Sequence, residues 1–364
     1  MKERINVLPV PTWNHLKVNQ AEDIFALIEA PEGGFGKADV TVSPLPEGVK
    51  TELQFPFNAF NEKIESGMGN EYDSYVMKHA NTTCYLKAES RADEVIAFTA
   101  KVTDANPAIV GSYGIYAEED SSISVMQRVS SDESARGFSA ELTRIYAKKG
   151  SVVRLYQIQE LGRSCRSWNA VAVYAEEGAR VEVVRAIMGG KTAALGVKSF
   201  LSGRESSFAL DTAYFGDENQ AFDFNDVAEH WGKSSASDLY TAGVLAGESS
   251  KVLRATIDFK RGATGAAGHE LEEVLMLGKK VKNKTVPLIL CGEEQVEGQH
   301  AATVGRLDEN HIYYLCSRGL TPSQARLLMV QGRFAPVIDR IPDEDLRESL
   351  NRQIERRLIL NEQT

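Results

Sequence analysis

The sequence predicts a mainly β protein in which short strands stack as the coils of a solenoid, with helical regions at both ends. From about residue 82, Thr, Val, Ile, Tyr and Phe dominate, and apolar residues alternate with polar ones as in half-buried strands. Short breaks of Gly, Ser, Asp and Glu separate these runs, and helical spacing returns at Thr321. We therefore expect an N-terminal helical or irregular region at 1–80, a β core at 81–315 and a C-terminal helical region at 316–364.

A weak internal repeat supports the solenoid. Residues 115–123 resemble 145–153 and 173–181, at offsets of 30 and 28 residues, and 244–252 give a fainter fourth copy. Each copy consists of a strand, a polar turn and a second strand. Because a two-strand unit cannot bury its apolar face alone, repeated units must stack and share a core. A β-sandwich built from regular hairpins is the main alternative.

Helix signals flank the predicted β core. Residues 20–28 place apolar groups at helical spacing, and 56–80 are expected to form an irregular or helical connection. At the other end, Thr321 is suited to cap a helix whose first residue is Pro322, where the missing N–H costs nothing. This helix is expected to run towards Val337.

A second C-terminal helix is predicted after Ile341, and its pattern is amphipathic. Its apolar residues recur at every fourth position, and its other face is charged. Such a stripe packs either against the chain's own core or against a partner, and the sequence leaves both alternatives open. The stripe consists of Leu346, Leu350, Ile354 and Leu358.

The charge balance argues against two classes of partner. The chain has 41 Lys and Arg residues against 51 Asp and Glu residues, a formal net charge of −10. Binding to nucleic acid or to an anionic membrane requires a positive surface, so neither is expected as the main activity. No run approaches the roughly 20 apolar residues that span a bilayer.

The cysteines and the N-terminus favour a cytoplasmic location. Cys84, Cys165, Cys291 and Cys316 are widely spaced and form no CxxC pair. A disulfide framework or a structural zinc site is therefore not expected, and a reducing compartment fits best. The N-terminus reaches polar residues and prolines before any signal-peptide stretch develops.

The sequence lacks three common catalytic motifs. It has no P-loop, no GxSxG nucleophile elbow and no HExxH zinc motif. Residues 262–268 are rich in glycine but match no dinucleotide-binding fingerprint, so we interpret them as a turn between β elements. The sequence therefore predicts a protein that is not an enzyme.

The most specific signal lies in three segments near the C-terminus. Residues 287–290 form an apolar strand, 296–308 contain a His-Ala-Ala-Thr run that begins at His300, and 313–320 contain a Leu-Cys-Ser-Arg-Gly run. This order resembles the C-terminal signature of the SufB/SufD family, in which a His-x-Ala-Thr segment precedes an aromatic-Leu-x-Ser-Arg-Gly segment. Further likeness is found at 255–270, 325–328 and 334–338, and a fainter one at 11–18, which includes Trp13.

The resemblance implies a right-handed parallel β-helix with helical terminal regions, in agreement with the repeat. It implies a non-catalytic scaffold subunit of SUF iron–sulfur cluster assembly, closer to SufD than to SufB. Its partners would be a SufB-type sister subunit and a SufC-type ABC ATPase, and the C-terminal helices would dock onto the ATPase. The complex would build a nascent cluster from persulfide sulfur, iron and electrons. The resemblance leaves open whether the chain forms a homodimer or a heterodimer, whether it binds flavin, and which molecule donates the sulfur.

His300 is the first candidate metal ligand. A neutral imidazole binds iron well, and the resemblance places a histidine of this motif at the SufB–SufD contact. The alternative is a buried histidine that is hydrogen-bonded at the end of the β core. Many SufD-like chains have a cysteine two residues earlier, where this chain has Gly298. Cys291 is a weaker candidate ligand, and we expect it to be a buried free thiol.

The resemblance also implies a partner-binding surface in the C-terminal region. Of the other cysteines, Cys316 and Cys84 are expected to be structural. Cys165 lies between Arg163 and Arg166, cations that would lower a thiol pKa if they faced it, which gives a weak reactive-thiol hypothesis. The candidate partner-binding residues are Arg318, Gly319, Leu328, Phe334, Leu346, Leu350 and Ile354.

Two other function classes compete with the scaffold. A β-helix carbohydrate-active enzyme, such as a polysaccharide lyase or esterase, would also show stacked strands, but such enzymes need a groove of catalytic acids and bases and are mostly secreted. A structural solenoid without chemistry would bind neither a metal nor a partner. The C-terminal helix pair behind the Ser-Arg-Gly motif favours the scaffold.

Overall fold

A computed structural model of the chain describes residues 4–12, 14–52 and 65–362. Trp13, from the faint N-terminal resemblance, and residues 56–64, from the predicted connection, lie outside the described residues. Most of the described chain forms a parallel β-solenoid of about 8 turns with helices at both ends, which confirms the predicted fold class.

Eighteen strands and four α-helices make up the described part of the chain. Two short 3-10 helices, Asn14–Leu16 and Asp23–Phe25, precede them. The helices are α1 (Asn70–His79), α2 (Glu309–Ser317), α3 (Pro322–Ile338) and α4 (Glu344–Glu362). The strands are β1 (Val40–Val42), β2 (Val49–Glu52), β3 (Thr82–Ala88), β4 (Arg91–Val102), β5 (Ala108–Ala117), β6 (Ser122–Ser131), β7 (Phe138–Ala147), β8 (Val152–Glu160), β9 (Arg166–Ala175), β10 (Arg180–Ile187), β11 (Thr192–Leu201), β12 (Ser207–Gly216), β13 (Ala221–His230), β14 (Ala236–Leu245), β15 (Ser250–Phe259), β16 (Ala267–Met276), β17 (Lys282–Cys291) and β18 (Glu297–Gly305).

The strands form two nine-stranded sheets, and from β3 onward successive strands alternate between them. Sheet A runs β1-β4-β6-β8-β10-β12-β14-β16-β18, and sheet B runs β2-β3-β5-β7-β9-β11-β13-β15-β17. From β3 and β4 onward all pairs are parallel, so each coil contributes one strand to each sheet. Apolar side chains from the inner faces of the two sheets form the core between them.

The sequence repeat defines the register of the coils. Tyr116 pairs with Tyr146, and Tyr146 pairs with Tyr174, in the same columns in which the sequence copies align. Their rings stack with centroids 5.3 and 4.9 Å apart. The fainter fourth copy also forms a strand, a turn and a second strand, but it starts in β14 of sheet A, whereas the first three copies start in sheet B. The fourth copy resembles the first three in sequence because strands of both sheets are followed by polar turns.

The two ends of the solenoid differ. At the N-terminal end, β1 pairs antiparallel with β4, and β2 pairs antiparallel with β3, so short strands close both sheets. At the other end, no strand within the described ranges pairs with the free edges of β17 and β18. We call this coil the open end. Unpaired edge strands are sites at which another chain adds by backbone hydrogen bonding.

The terminal regions cover the outer faces of the two sheets. Met68, Tyr72 and Val76, in and just before α1, pack on sheet B with Phe138 and Trp168. On sheet A, the apolar faces of α3 and α4 pack against side chains of β10, β12 and β14. The solenoid therefore has an apolar core between its sheets and a further apolar layer on each outer face.

The C-terminal helices begin as the sequence predicts and pack against the chain's own core. Thr321 and Gln324 form a reciprocal capping box at the start of α3. The stripe of α4 is buried, so the first of its two alternatives is the observed one. Arg357 of α4 donates to the buried Asp217 at 2.9 Å and thereby fixes the helix to the turn after β12.

Two predictions of element boundaries differ from the structure. The solenoid ends at Gly305, and α2 occupies residues that were expected to belong to the β core up to 315. Tyr313 and Tyr314 are residues that favour strands. The segment nevertheless forms a helix, because the Asp308 side chain caps its first turn. The predicted helix at 20–28 is reduced to the 3-10 turn Asp23–Phe25. Among the described residues, no helix is both long and apolar enough to cross a membrane.

The packing of α4 can be tested with one buried leucine and one exposed leucine. Leu350 is fully buried against sheet A, and Leu360 of the same helix is 49% exposed. Leu350→Ala should lower the free energy of unfolding by about 2–5 kcal/mol, because it leaves a cavity. Leu360→Ala should change it by less than about 0.5 kcal/mol. Urea unfolding measures both, and equal stability of the two variants would contradict the packing of this stripe on the core.

The open end as candidate functional site

The open end consists of β17 and β18, and the two strands differ in character. Every residue of β18 except Gly305 is exposed, and the strand contains no proline. β17 is half-buried and has Pro287 near its middle, a residue that lacks an N–H and is found in sheets mainly on edge strands. β18 therefore offers the more complete set of backbone groups to a further strand.

His300 lies in this exposed strand. Its Cα is in register with that of Glu270 on β16, so both side chains project to the same face of sheet A. A side chain added at Gly298, two residues earlier on that face, would meet Phe259 and Ile289 of the inner core at 3.1 and 3.2 Å. His300 therefore faces the interior of the last coil but is exposed, because no further coil covers it. The alternative of a buried histidine is wrong.

The same spacing explains the glycine at position 298. A Cβ at 3.1–3.2 Å from two core side chains is tighter than ordinary van der Waals contact, so those side chains would have to move. The cysteine that many SufD-like chains have at this position would need that adjustment here. Gly298 is thus consistent with a close-packed inner face at the point where β18 meets β17.

A buried polar cluster lies on the coil before His300. Lys251 forms a fully buried ion pair with Glu272, and its Nζ also lies 3.1 Å from Thr285 Oγ1. Thr285 Oγ1 donates to Glu272 at 2.5 Å. Burial raises the pKa of Glu270 to about 7, and the charge of Glu272 acts in the same direction. One oxygen of Glu270, Oε1, is buried without a hydrogen-bond partner.

The open end alone does not form a complete metal site. Across residues 4–12, 14–52 and 65–362, no three His, Cys, Asp or Glu side chains lie close enough together to hold a metal ion. Cys291 is exposed at the end of β17, where its Cα pairs with Phe259. The prediction that it is buried is wrong, because the last coil has no neighbour on that side.

The Ser-Arg-Gly motif forms the junction between α2 and α3. Arg318 caps the end of α2, and Gly319 follows with φ +99°, a conformation that side chains disfavour. Tyr313 is 77% exposed and Tyr314 55% exposed, and the Arg318 guanidinium lies 5.4 Å from the Tyr314 ring centre. Sequence reasoning missed this exposed pair of tyrosines, because it assigned them to the β core.

The predicted partner-binding residues fall into two groups. Arg318, Gly319 and Leu328 lie on the outer side of the helical region, and Leu328 is 49% exposed. The other four are covered by sheet A and its neighbours, so a partner reaches none of them while the helices stay packed. These four buried residues are Phe334, Leu346, Leu350 and Ile354.

The reactive-thiol hypothesis for Cys165 is wrong. The side chain is fully buried, its thiol donates to the Ala135 carbonyl at 3.3 Å, and burial raises its pKa. The two neighbouring arginines face elsewhere. Arg163 donates to both oxygens of Asp217, and Arg166 donates to backbone carbonyls of the N-terminal segment. Although Arg163 and Arg166 lie close to Cys165 in sequence, neither guanidinium is directed at its sulfur.

A match to a family model shows which protein family the chain belongs to. The model described as "SUF system FeS cluster assembly, SufBD core domain" matches residues 100–333. The chain belongs to this SufBD family. The matched range includes the coils from β5 to β18, the open end and α2, and it ends within α3. Membership of this family accounts for the solenoid fold.

Curated relatives carry names from the same assembly system. The chain is 33% identical over 147 residues to the iron-sulfur cluster assembly protein SufD of Bacillus subtilis (strain 168), covering 40% of this chain and 34% of that protein. It is 26% identical over 214 residues to a SufBD family protein of Mycobacterium tuberculosis (strain ATCC 25618 / H37Rv), covering 59% and 25%. A SufBD family protein of Mycobacterium leprae (strain TN) is 29% identical over 183 residues, covering 48% and 47%. The matches thus span less than half of each relative.

The exposure of the cysteines predicts an order of thiol reactivity. Cys291 is exposed, Cys84 and Cys316 are half-buried, and Cys165 is fully buried. In the native protein, Ellman's reagent should react first with Cys291 and with Cys165 only on unfolding, because burial both blocks access and disfavours the thiolate. Cys291→Ser should remove the fastest phase. Persistence of that phase in Cys291→Ser would contradict the exposed position at the end of β17.

Proposed function

We propose that this chain is a non-catalytic scaffold subunit of a SUF assembly complex, SufD-like in type, working in the cytoplasm. In this proposal a SufB-type subunit or a second copy pairs with the open end, and a SufC-type ATPase docks on the C-terminal helices. The observation that carries the proposal is that the described strands close the solenoid at one end only, and that the open coil presents His300. The likeness to the Bacillus subtilis SufD protein supports SufD over SufB.

The edge of β18 supports strand addition by a sister subunit. The strand is exposed over nearly its whole length, and two of its central residues, Ala301 and Ala302, are small. An added strand would satisfy the backbone groups that β18 now leaves to water and would cover the inner face around His300. Pro287 makes the β17 edge a poorer template, so pairing would be strongest along sheet A.

The charges of the last coil favour one orientation of the partner. Lys279 and Lys282 lie at the end where the chain enters β17, and both are exposed. Glu294 and Glu297 lie at the opposite end, where the chain passes from β17 to β18. For a second coil with the same charge distribution, antiparallel apposition brings lysines against glutamates, whereas parallel apposition opposes like charges.

The exposed side of the helical region supports ATPase docking. Tyr313 and Tyr314 on α2 and Leu328 on α3 are large apolar side chains left in water. Exposed aromatic residues beside an arginine are the residue types enriched at protein interfaces. Because the apolar stripe of α4 is already buried, we assign docking to α2 and α3 and give α4 the role of holding them on sheet A.

In the proposed complex, the nascent iron–sulfur cluster is cargo that is assembled at the open end. His300 supplies one nitrogen ligand, and the sister subunit supplies the remaining ligands. This division fits the lack of a complete ligand set among the residues that the structure describes. Glu270 lies on the adjacent strand and faces the same side. Sulfur, iron and electrons would come from other components, and this chain would hold and orient the nascent cluster.

ATPase docking is tested by co-expression with the SufC-type ATPase of the source organism and affinity capture. The wild-type chain should form a stoichiometric complex whose mass is measured by native mass spectrometry. The double variant with Tyr313→Ala and Leu328→Ala should weaken binding by at least about tenfold, because exposed anchor residues carry much of an interface's energy. Ile359→Ala, an exposed residue of α4, is the matched control. Unchanged capture of the double variant would remove docking from α2 and α3.

The role of His300 is tested by anaerobic iron–sulfur reconstitution of the complex with the sister subunit present. His300→Ala should reduce cluster formation, followed by visible absorbance and circular dichroism, while the mass of the complex is unchanged. His311→Ala, an exposed histidine on α2, should assemble clusters like the wild type. If His300→Ala and His311→Ala behave alike, His300 is not a cluster ligand, although pairing through β18 would still stand.

A further inference from the structure

A basic notch lies on one long edge of the solenoid, several coils away from the open end. Its walls are the turns that lead from sheet A to sheet B after β6, β8, β10 and β12. The notch has a volume of about 470 Å³. It is lined by Arg136, Arg163, Ser164, Lys191, Glu218, Asn219 and Gln220.

One turn of the notch wall packs closely against the coil before it. Residues 188–191 form this turn, and a Cβ at Gly189 would lie 2.0 Å from the Leu161 carbonyl oxygen, so only glycine fits there. Gly190 has φ +82° and donates to the same carbonyl at 2.8 Å. Lys191 then donates its backbone N–H to the Cys165 carbonyl at 2.6 Å. The turn is therefore fixed against the coil before it.

The rear of the notch is rigid. Asp217 is fully buried and accepts hydrogen bonds from Arg163 on one side and from Arg357 of α4 on the other. Gln220 is 5% exposed, accepts from Arg357 and donates to the Gly190 carbonyl. These contacts hold the wall of the notch in place before any ligand arrives, which lowers the entropic cost of binding.

The positive charge of the notch is only partly balanced. Arg163 is paired with Asp217 and with Glu218, at 2.9 and 2.8 Å. Arg136 and Lys191 are exposed and have no ion pair among the described residues. The hydroxyl of Ser164 and the amide of Asn219 likewise have no hydrogen-bond partner in the described part of the chain. In a chain of net charge −10, a concave site rich in free donors is unusual.

We propose that the basic notch binds a small, multiply charged oxyanion of the phosphate or carboxylate class. Each of the four groups without a partner can donate a hydrogen bond, and two of them carry a full positive charge. The best ligand therefore offers several acceptor oxygens and at least two negative charges. The volume suits a small molecule, whereas the polar lining excludes an apolar one. The site is independent of partner pairing and ATPase docking, because it shares no residue with either surface.

The test is isothermal titration of the full chain with inorganic pyrophosphate at low ionic strength, with citrate as the carboxylate comparison. Arg136→Ala and Lys191→Ala should each weaken binding by at least about tenfold, since each removes charge-assisted hydrogen bonds. Lys233→Ala and Arg261→Ala are matched controls, because they remove exposed cations from turns on the opposite edge. Binding should also weaken as salt is raised.

The variants are expected to fold, because Arg136 and Lys191 are exposed side chains, and their melting temperatures should equal that of the wild type. The relative affinities for pyrophosphate and citrate identify which oxyanion the notch prefers. The proposal is overturned if the wild type binds neither anion, or if the controls weaken binding as much as the notch variants. It is also overturned if a glutamate-rich peptide binds while both small anions fail, because the notch would then be a protein-docking surface.

Discussion

The parallel hydrogen-bond ladder between successive coils is the constraint on which the rest of this structure depends. Each coil satisfies its backbone only through the coil before it and the coil after it, in strict register from β5 to β18. A ladder of this kind has two ends, and each end leaves a row of unpaired groups. In this chain the N-terminal segment closes one end with antiparallel strands. The other end is left open, and the family's histidine motif lies in its last strand.

The same ladder places like side chains in columns and so shapes the surface. Tyr116, Tyr146, Tyr174 and Phe200 stack along one outer column of sheet B. Turn residues also form columns, so charged side chains of neighbouring turns either form ion pairs or place like charges close together. Lys148 pairs with Glu118 of the preceding coil, whereas Arg136 and Lys191 bring unbalanced charge to the basic notch. A change of one turn therefore alters a surface that several coils share.

The helical terminal regions have a structural role that limits their functional one. An apolar sheet face must be covered, and α3 and α4 supply the cover for sheet A. Their buried sides are therefore occupied, whereas the outer sides of α3 and α4, most of α2 and the Ser-Arg-Gly junction stay exposed. Arg357 connects α4 to Asp217, which also forms the rear of the notch, so one buried carboxylate links the helices to the turns.

The sequence by itself predicted the solenoid, the approximate length of its repeat and the two long C-terminal helices. Alternation, the Thr321 cap and the leucine stripe are local patterns that the sequence shows directly. The repeat at offsets of 30 and 28 residues is visible in the sequence as well. The sequence also located His300 and the family motif. Only the tertiary structure decided exposure: that Cys291 and His300 face solvent, that Phe334 and Leu350 do not, and that the arginines beside Cys165 face away. Burial depends on which coils and helices lie next to a residue, and those neighbours are distant in sequence, so no local pattern contains them.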